Sequence, residues 1–564
     1  MTATAQQPAV PFRRRLLQHL NGWSLLTYAI AGLIAFPIVA VVVYAFVPAP
    51  EIWGHLASTV LPRYVTNTLI LVVGVGICVL IIGVGTAWLV VMCRFPGRAL
   101  FEWALLSPLA VPTYVIAYAY TDFLQFTGPV QTGLRELFDW SRRDYFFPNI
   151  RSLGGAIILL SLVLYPYVYL LTRAAFLEQS ACVLEVGRTL GRTPRRLFLD
   201  VAVPLARPAI AGGVALALME TLNEFGAVQF FGIDTFTTGI YRTWFGLGEP
   251  IAAAQLATFL LVFVIVLVLV ERWSRGHARY FHTSGRYRNL PRFPLRGGKA
   301  ALAFLACALP VVIGFALPAT LLTLMSIRGG DPLFGSRFLG LAGNSLLLAT
   351  TAAVLAVGLA LLLSYGVRLH RNRATSAAAR VASMGYAIPG SVIAVGILMP
   401  LGWMDNAVNE FMRDRFGIMP GLIFTGTMVA LVYAYVVRFL AVAYNAVEAS
   451  LEKVTPTMDA ASRTLGKTAG RTLRLVHAPI MRGSLIAAGI LVFVDVMKEL
   501  PATVILRPFD FDTLAIRAHE LASDERLAQA STSALAIVVV GVIPVIVLSI
   551  AMGRSRPGHT GVNE

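Results

Sequence analysis

Charged residues are scarce in this 564-residue sequence. Only 13% of its residues are Asp, Glu, Lys or Arg, whereas soluble domains carry roughly 25%. Apolar runs of about twenty residues recur along the chain, long enough for a helix to cross a hydrocarbon core of roughly 30 Å. The short alternating segments of a membrane β-barrel are absent. The composition excludes an ordinary soluble domain and predicts an all-α, polytopic membrane protein.

Motifs for disulfides, metal binding and nucleotide binding are also missing. The four cysteines lie far apart, at Cys78, Cys93, Cys182 and Cys307. Without a C-x-x-C pair, neither a disulfide framework nor a thiolate metal site is indicated. There is no G-x-x-x-x-G-K-S/T loop, no H-E-x-x-H motif and no cluster among the eight histidines. We therefore expect this chain to be no enzyme and to bind no cofactor itself.

Twelve apolar segments are candidate membrane spans. They lie at about 24–47, 66–92, 100–124, 153–173, 208–231, 251–271, 300–326, 341–365, 380–401, 421–444, 484–506 and 531–552. With the N-terminus inside, the inner segments hold 31 of the 46 basic residues and the outer loops hold 13. This bias predicts that both termini are cytosolic, and it explains the net charge of +17 without nucleic acid. Three tyrosines of the third span fit interfacial anchors: Tyr114, Tyr118 and Tyr120.

Two basic stretches interrupt the spans and resemble one another. Residues 185–204 read EVGRTLGRTPRRLFLDVAVP and residues 460–479 read AASRTLGKTAGRTLRLVHAP, in a register of 275 residues. Matches elsewhere, at offsets of 275 to 277, include Asn67 with Asn344, Pro112 with Pro389, and Phe236 with Phe511. Two repeated six-span units of the same orientation imply a parallel pseudo-two-fold axis along the membrane normal.

The repeat divides the chain into two halves. The first half covers residues 1–271, a basic cytosolic linker covers 272–299, and the second half covers 300–564. Basic cytosolic loops lie at about 178–206 and about 448–482. For each loop we predict a short helix, a tight turn at its glycine, and a second helix that returns to the membrane.

Six polar residues lie inside the fifth and eleventh spans. They are Glu220, Asn223 and Glu224 in one span, and Asp495, Lys498 and Glu499 in the other. Their i, i+3, i+4 spacing places each set on one helix face. Because a charge at the bilayer centre costs at least about 2.5–3.5 kcal/mol, these side chains should face a cavity or one another.

Two interpretations of these residues remain open. One is a structural network of hydrogen bonds between helices. The other is a translocation path, in which carboxylate oxygens, being hard ligands, transiently bind a hard cation. The candidate ligands for such a cation are Glu220, Glu224, Asp495 and Glu499.

The repeated loop resembles the E-A-A-x-x-x-G-x(9)-I-x-L-P motif of importer-type ABC transporter permeases. The motif Glu is Glu185, and the motif glycines are Gly191 and Gly466. The second loop departs from the motif, because Ala460 stands at the Glu position and Asp459 precedes it. The resemblance covers both halves and implies a type I ABC importer permease with two fused halves, in the bacterial inner membrane.

The resemblance also implies partners. In that family the loop forms a coupling helix that docks on an ATP-binding subunit, which carries ATP and Mg. The coupling candidates are Glu185, Arg188 and Gly191 in the first loop, and Asp459, Arg463 and Gly466 in the second. Two copies of the ATP-binding subunit and a periplasmic substrate-binding protein are implied, together with lipid and without nucleic acid.

The substrate is less determined than the family. The fusion of two halves, with the segments ETLNEFG and MKELPAT, resembles most the ferric-iron branch of these permeases. Thiamine and phosphonate-type importers also have fused permeases, and a carboxylate-lined path suits both ferric iron and thiamine. A proton-coupled secondary transporter is the alternative from another class. The two matched cytosolic loops favour the ABC permease, since a proton-driven carrier does not need them.

Overall fold

The computed structural model describes residues 21–178, 193–275, 292–333, 335–370 and 372–554. Within these ranges, eleven helices are long and apolar enough to cross a membrane. Two further apolar arms, Arg98–Ala110 and Thr113–Phe138, meet at 90° and make a twelfth span when they are counted together. The prediction of an all-α, polytopic membrane protein is confirmed.

The first half contains twelve α-helices in the described ranges. They are α1 (Gly22–Tyr44), α2 (Pro50–Thr59), α3 (Leu61–Met92), α4 (Arg98–Ala104), α5 (Thr113–Leu124), α6 (Pro129–Phe138), α7 (Leu153–Glu178), α8 (Pro194–Leu197), α9 (Val203–Asn223), α10 (Gly226–Phe230), α11 (Phe236–Tyr241) and α12 (Pro250–Arg275). A 3₁₀ turn at Ser107–Ala110 and π-helical turns at Phe198–Ala202 and Arg242–Gly246 adjoin them.

The second half contains a further twelve in the part that the structure describes. They are α13 (Gly298–Val311), α14 (Leu317–Gly329), α15 (Ser336–Leu369), α16 (Arg373–Ala382), α17 (Gly390–Phe416), α18 (Met428–Leu451), α19 (Pro456–Thr464), α20 (Ala469–Thr472), α21 (Ala478–Met497), α22 (Pro501–Leu506), α23 (Leu514–Ser523) and α24 (Leu527–Arg554). A 3₁₀ turn at Gly385–Ala387 and π-helical turns at Val312–Ala316 and Leu473–His477 complete it.

The third and ninth spans differ from the prediction. Spans at 100–124 and 380–401 were predicted to be kinked at Pro112 and Pro389. The break is sharper than a kink, because both prolines are N-cap residues with extended backbone. Proline has no N–H and disfavours helical conformation in the residue before it, so the chain turns at both positions. The ninth span is consequently α17, which begins after the proline and continues to Phe416.

The first span of each half packs on the opposite half. Helix α1 contacts α15, α16 and α17, while α13 and α14 contact α3, α4 and α5. The approach is close, because a Cβ at Gly396 would lie 2.2 Å from the carbonyl oxygen of Pro37. In the other direction, a Cβ at Gly314 would lie 2.8 Å from the carbonyl oxygen of Leu162. The two halves are therefore interleaved.

Several contacts occur once in each half. Asn67 Nδ2 donates to the carbonyl of Asp234 at 2.9 Å, and Asn344 Nδ2 donates to the carbonyl of Asp512 at 3.0 Å. Each bond ties the start of a long span to the loop before a short helix. These paired contacts agree with the predicted repeat, and the symmetry axis itself stays a prediction.

The predicted match of Phe236 with Phe511 is wrong by three residues. Thr235 and Thr513 are the N-caps of α11 and α23, so Phe236 corresponds to Leu514. The second half has three more residues in the preceding loop, and the offset increases from 275 to 278 there. Cap positions reveal this insertion, which the pairing of phenylalanines in the sequence concealed.

The end of the linker is attached to the first half by a short parallel β pair. Strand β1 (Cys93–Arg94) pairs with β2 (Phe293–Pro294), and Leu295 N donates to the Arg94 carbonyl at 3.0 Å. Residues 276–291 of the predicted linker lie outside the described residues. The described part thus connects the start of the second half to the end of α3.

Helices α7 and α18 are the most enclosed spans. In their most apolar windows, 67% and 72% of residues are buried inside the protein. Helix α3 packs closely on α7, where a Cβ at Gly83 would lie 2.6 Å from Val168 Cβ. The inner faces of α7 and α18 therefore border the centre of the molecule.

Candidate functional site

A cavity of about 90 Å³ lies between the halves, where α9 and α21 end. All six polar residues predicted from the sequence line it: Glu220, Asn223, Glu224, Asp495, Lys498 and Glu499. Positions 275 residues apart also line it in pairs, Val163 with Arg438 and Leu164 with Phe439. The tertiary structure thus brings the polar residues of the two halves around one space.

Glu224 caps a helix at this cavity. The fifth span was predicted to continue to residue 231, but α9 ends at Asn223 and Glu224 has extended backbone. Glu224 Oε1 accepts the N–H of Ala227 at 2.8 Å, near the start of α10, and Oε2 accepts the hydroxyl of Thr113. Because lipid supplies no water to the free N–H groups of a helix start, this carboxylate makes the break possible.

Glu499 has the same role in the second half. The eleventh span, predicted at 484–506, breaks after Met497. Glu499 Oε1 accepts the N–H of Ala502 at 2.9 Å, and Oε2 accepts the N–H and hydroxyl of Thr503 at 3.1 and 2.6 Å. Proline suits the first position of α22, since its missing N–H would have no partner there. Both carboxylates are therefore helix caps as well as cavity-lining groups.

Arg438 is the residue of this site that the sequence did not single out. It lies in the middle of α18 and is 4% exposed. Its Nη1 donates to Asn223 Oδ1 at 2.7 Å and lies 3.5 Å from Glu499 Oε1, and its Nη2 lies 3.4 Å from Glu220 Oε2. The signal that could have identified it is its position inside a predicted span, away from the basic loops.

The charges of the cavity are unevenly distributed. Lys498 forms an ion pair with Asp495 at 2.9 Å, and Arg438 lies between Glu220 and Glu499. With Glu224 included, four carboxylates face two cations, and both cations come from the second half. The formal excess of negative charge favours a positively charged substrate over an anion.

The prediction that three tyrosines are interfacial anchors is wrong. Tyr114, Tyr118 and Tyr120 are at most 4% exposed, because α5 lies between other helices. Tyr114 lines the cavity, Tyr118 OH lies 2.9 Å from His519 Nδ1, and Tyr120 OH donates to the Ile313 carbonyl at 2.6 Å. Burial, with the nearby Arg507 charge, lowers the pKa of His519 to about 4, so this histidine is neutral near pH 7.

One wall of the cavity is formed where α10 and α22 begin. A Cβ at Gly226 would lie 2.7 Å from both Leu500 Cδ2 and Tyr114 Cβ. Glu224 and Glu499 stand two residues before these helices and accept N–H groups of their first turns. The cavity carboxylates therefore also position the segments that close this wall.

The described residues contain no group of three or more His, Cys, Asp or Glu side chains arranged to hold a metal ion. Glu224 and Glu499 accept hydrogen bonds from the backbone, and Asp495 pairs with Lys498. Transient binding of a cation by the cavity carboxylates stays a prediction. A passing cation would have to replace the present hydrogen-bond and ion-pair partners of these carboxylates.

The second basic loop, at about 448–482, has the predicted helix, turn and helix. Helix α19 ends at Thr464, Gly466 has a φ of +70°, and α20 begins after the N-cap Thr468. Arg463 is exposed, and Leu465 is 76% exposed at the tip. The candidates of the first loop, Glu185, Arg188 and Gly191, lie outside the described residues.

Asp459 is turned into the protein rather than toward a partner. Its Oδ2 accepts Arg368 Nε at 2.9 Å, and the side chain is 16% exposed. His477 Nε2 lies 2.6 Å from its Oδ1, close enough for an ion pair but without hydrogen-bond alignment. Arg368 also donates to the carbonyls of Leu451 and Val454 at 2.6 and 2.7 Å. Asp459 thus anchors the second loop to the end of α15.

We expect Asp459→Asn to destabilise the chain by about 1.5–3 kcal/mol, since hydrogen bonds to charged groups contribute this much. The measurement is thermal unfolding of the purified chain in detergent. Asp414→Asn is the matched control, because Asp414 pairs with Arg413 at the surface, where the side chains are 67% and 52% exposed. If Asp459→Asn weakened only the binding of a partner and left unfolding unchanged, the anchoring role would be contradicted.

Comparison with known proteins adds independent information. Residues 79–277 match the family described as binding-protein-dependent transport system inner membrane component. The chain is 28% identical to the Fe(3+)-transport system permease protein FbpB 2 of Haemophilus influenzae, over 92% of this chain and 96% of that protein. It is 23% identical to the ferric transport system permease protein FbpB of Actinobacillus pleuropneumoniae, over 84% and 69%. A molybdenum transport system permease protein, ModB of Escherichia coli, is 29% identical over 33% of this chain and 81% of its own length.

Proposed function

We propose that this chain, which is an importer-type ABC permease of the binding-protein-dependent family, forms the translocation path for ferric iron across the inner membrane. The main support for this proposal is the cavity between the halves, which is lined by four carboxylates and only two cationic side chains. Carboxylate oxygens are hard ligands that suit a hard, highly charged cation. Two relatives that align with most of this chain are ferric transport permeases, which supports iron as that cation.

Partners follow from the family. An ATP-binding subunit and a substrate-binding protein act with permeases of this kind, and we propose two copies of the former, one at each cytosolic loop. ATP and Mg would bind there, and this chain would hydrolyse nothing itself. The exposed Arg463 and Leu465, beside the turn at Gly466, are the docking surface proposed for the second loop.

The proposed orientation places both termini in the cytosol and the α10 and α22 wall toward the periplasm. Glu224 and Glu499 lie at the ends of the helices that rise from the cytosolic loops, so a movement of a loop would reach the caps through α9 or α21. Release of the Gly226 contact with Leu500 and Tyr114 would then open the cavity to substrate delivered from the periplasmic side. A relative movement of the two halves would transmit this change, because each first span packs on the opposite half.

Uptake by the reconstituted transporter tests the proposed substrate. Proteoliposomes containing this chain and its ATP-binding subunit should accumulate radioactive ferric iron when the loaded binding protein and ATP are present. Unlabelled ferric iron should compete, whereas thiamine and 2-aminoethylphosphonate should not. Accumulation of either organic solute in place of iron would contradict the proposal, and uptake driven by a proton gradient without ATP would contradict the mechanism.

A further inference from the structure

Arg438 breaks the equivalence of the two halves at the cavity. Val163 of α7 and Arg438 of α18 are 275 residues apart, and both line the cavity from the most enclosed spans. The first half thus presents an apolar side chain where the second half presents a guanidinium. A buried charge at one of two equivalent positions needs an explanation other than packing.

The contacts of Arg438 cross from one half to the other. Asn223 Oδ1 accepts Arg438 Nη1 at 2.7 Å and also the N–H of Gly390 at 2.7 Å, so this amide is fixed by two donors. Glu220, also of the first half, lies 3.4 Å from Nη2. The site is closely fitted, since a Cβ at Gly390 would lie 2.7 Å from Glu499 Oε1 and 2.8 Å from Arg438 Nη1. Arg438 therefore holds α18 to the end of α9.

The ionic contacts of Arg438 are loose for a buried guanidinium. Its distances to Glu220 and Glu499 are 3.4 and 3.5 Å, and its Nε has no hydrogen-bond partner. A guanidinium has five N–H donors, and charge-assisted bonds are usually about 2.7–2.9 Å long. Burial of a charge is costly unless its ion pairs are well formed. Arg438 therefore binds these two carboxylates only weakly.

We propose that Arg438 is an internal counter-cation, which neutralises Glu220 and Glu499 when the cavity is empty and which a passing cation displaces from them. This rests on the proposed function, because it requires a cationic substrate in the cavity. A guanidinium spreads one positive charge over a planar group, so a compact multivalent cation competes for the carboxylates and a neutral or anionic solute does not. Arg438 thereby favours substrates of high positive charge and ties the halves together between transport events.

Binding of a trivalent probe to the purified chain tests this role without transport. Tb³⁺ is a hard cation whose luminescence is sensitised by nearby aromatic rings, and Tyr114, Tyr167 and Tyr386 line the cavity. Arg438→Gln should lower the half-saturating Tb³⁺ concentration at least about tenfold, because the competing charge is gone. Arg438→Lys should stay close to wild type. Adding Glu220→Gln to Arg438→Gln should reverse this gain in Tb³⁺ affinity. The reversal would show that the additional Tb³⁺ binding occurs in the cavity and not at surface carboxylates.

A second pair of variants keeps the test decisive if Arg438→Gln does not fold. Val163→Arg adds a second guanidinium at the equivalent position, and Val163→Met adds similar bulk without charge. Val163→Arg should weaken Tb³⁺ binding at least about tenfold relative to Val163→Met. Arg413→Gln, at a surface arginine that is 52% exposed, is the control for loss of an arginine elsewhere.

The outcomes separate this inference from the proposed substrate. If folded Arg438→Gln binds Tb³⁺ no better than wild type, or if Val163→Arg and Val163→Met behave alike, the counter-cation role is overturned. If the Tb³⁺ changes appear but wild type transports no ferric iron, the counter-cation role stands and the substrate is another cation. If wild type transports ferric iron but the variants bind Tb³⁺ as wild type does, the proposed function stands and Arg438 is only a structural bridge.

Discussion

Replacement of both cap residues, Glu224→Gln with Glu499→Gln, is expected to reduce substrate uptake about 100-fold or more. Each glutamate offers two acceptor oxygens, and Glu499 uses both, for the N–H of Ala502 and for Thr503. An amide keeps one acceptor and turns an NH₂ group toward the other donor. A hydrogen bond to a charged group is worth about 1.5–3 kcal/mol, so two losses exceed about 3 kcal/mol, which is roughly 100-fold.

The measurement is ATP-dependent uptake in proteoliposomes, with retention of the ATP-binding subunit as evidence of assembly. Glu136→Gln with Glu410→Gln is a matched control, since it makes the same change at one exposed glutamate of each half. Normal uptake by the Glu224 and Glu499 double variant would contradict a role for the caps in the path. If the double variant lost both assembly and uptake, Glu224 and Glu499 would be assigned to folding alone.

Replacement of both loop glycines, Gly191→Val with Gly466→Val, is expected to reduce co-purification of the ATP-binding subunit at least about tenfold. Gly466 has a φ of +70°, and a β-branched residue held there costs of order 1–3 kcal/mol. The loop would relieve this strain by changing its turn, which moves the exposed Leu465 at the tip. A loss of about 1.4 kcal/mol in docking corresponds to a tenfold weaker complex.

Gly483→Val separates backbone strain from added bulk. Gly483 is exposed on α21 and lacks a positive φ, and a Cβ added to it would have no neighbouring atom within 4 Å, so valine fits there without strain. This control should retain the ATP-binding subunit. Single variants at Gly191 and Gly466 measure how unequally the two loops dock, because only the first loop has the motif Glu185. Wild-type retention by the double variant would refute the coupling role of both loops.

The interior position of Asp459 changes the interpretation of the second loop. The sequence suggested that Asp459 replaces the missing motif glutamate as a partner contact, since it stands one residue before Ala460. Its contacts with Arg368 and His477 instead use the carboxylate within the chain. The docking proposed for this loop therefore rests on the exposed residues beyond it, Arg463 and Leu465.

The sequence by itself determined the class of the protein and the residues of its central cavity. Apolar runs of membrane length and scarce charge indicate helices in lipid. Apart from a closed β-barrel, only an α-helix satisfies all its backbone hydrogen bonds there. The spacing of Glu220 and Glu224, repeated at Asp495 and Glu499, was sufficient to place these side chains inside the protein. Such local patterns are readable because helix periodicity is fixed by the backbone.

Only the tertiary structure decided how those residues are used. The caps at Glu224 and Glu499 require breaks in two spans that hydropathy alone presents as continuous. The contact of Arg438 with Asn223 joins residues 215 positions apart, and no periodicity relates them. The exchange of first spans between the halves is likewise a matter of packing between distant segments. Local sequence determines which groups must avoid lipid, and the three-dimensional arrangement alone determines which partner each of them meets.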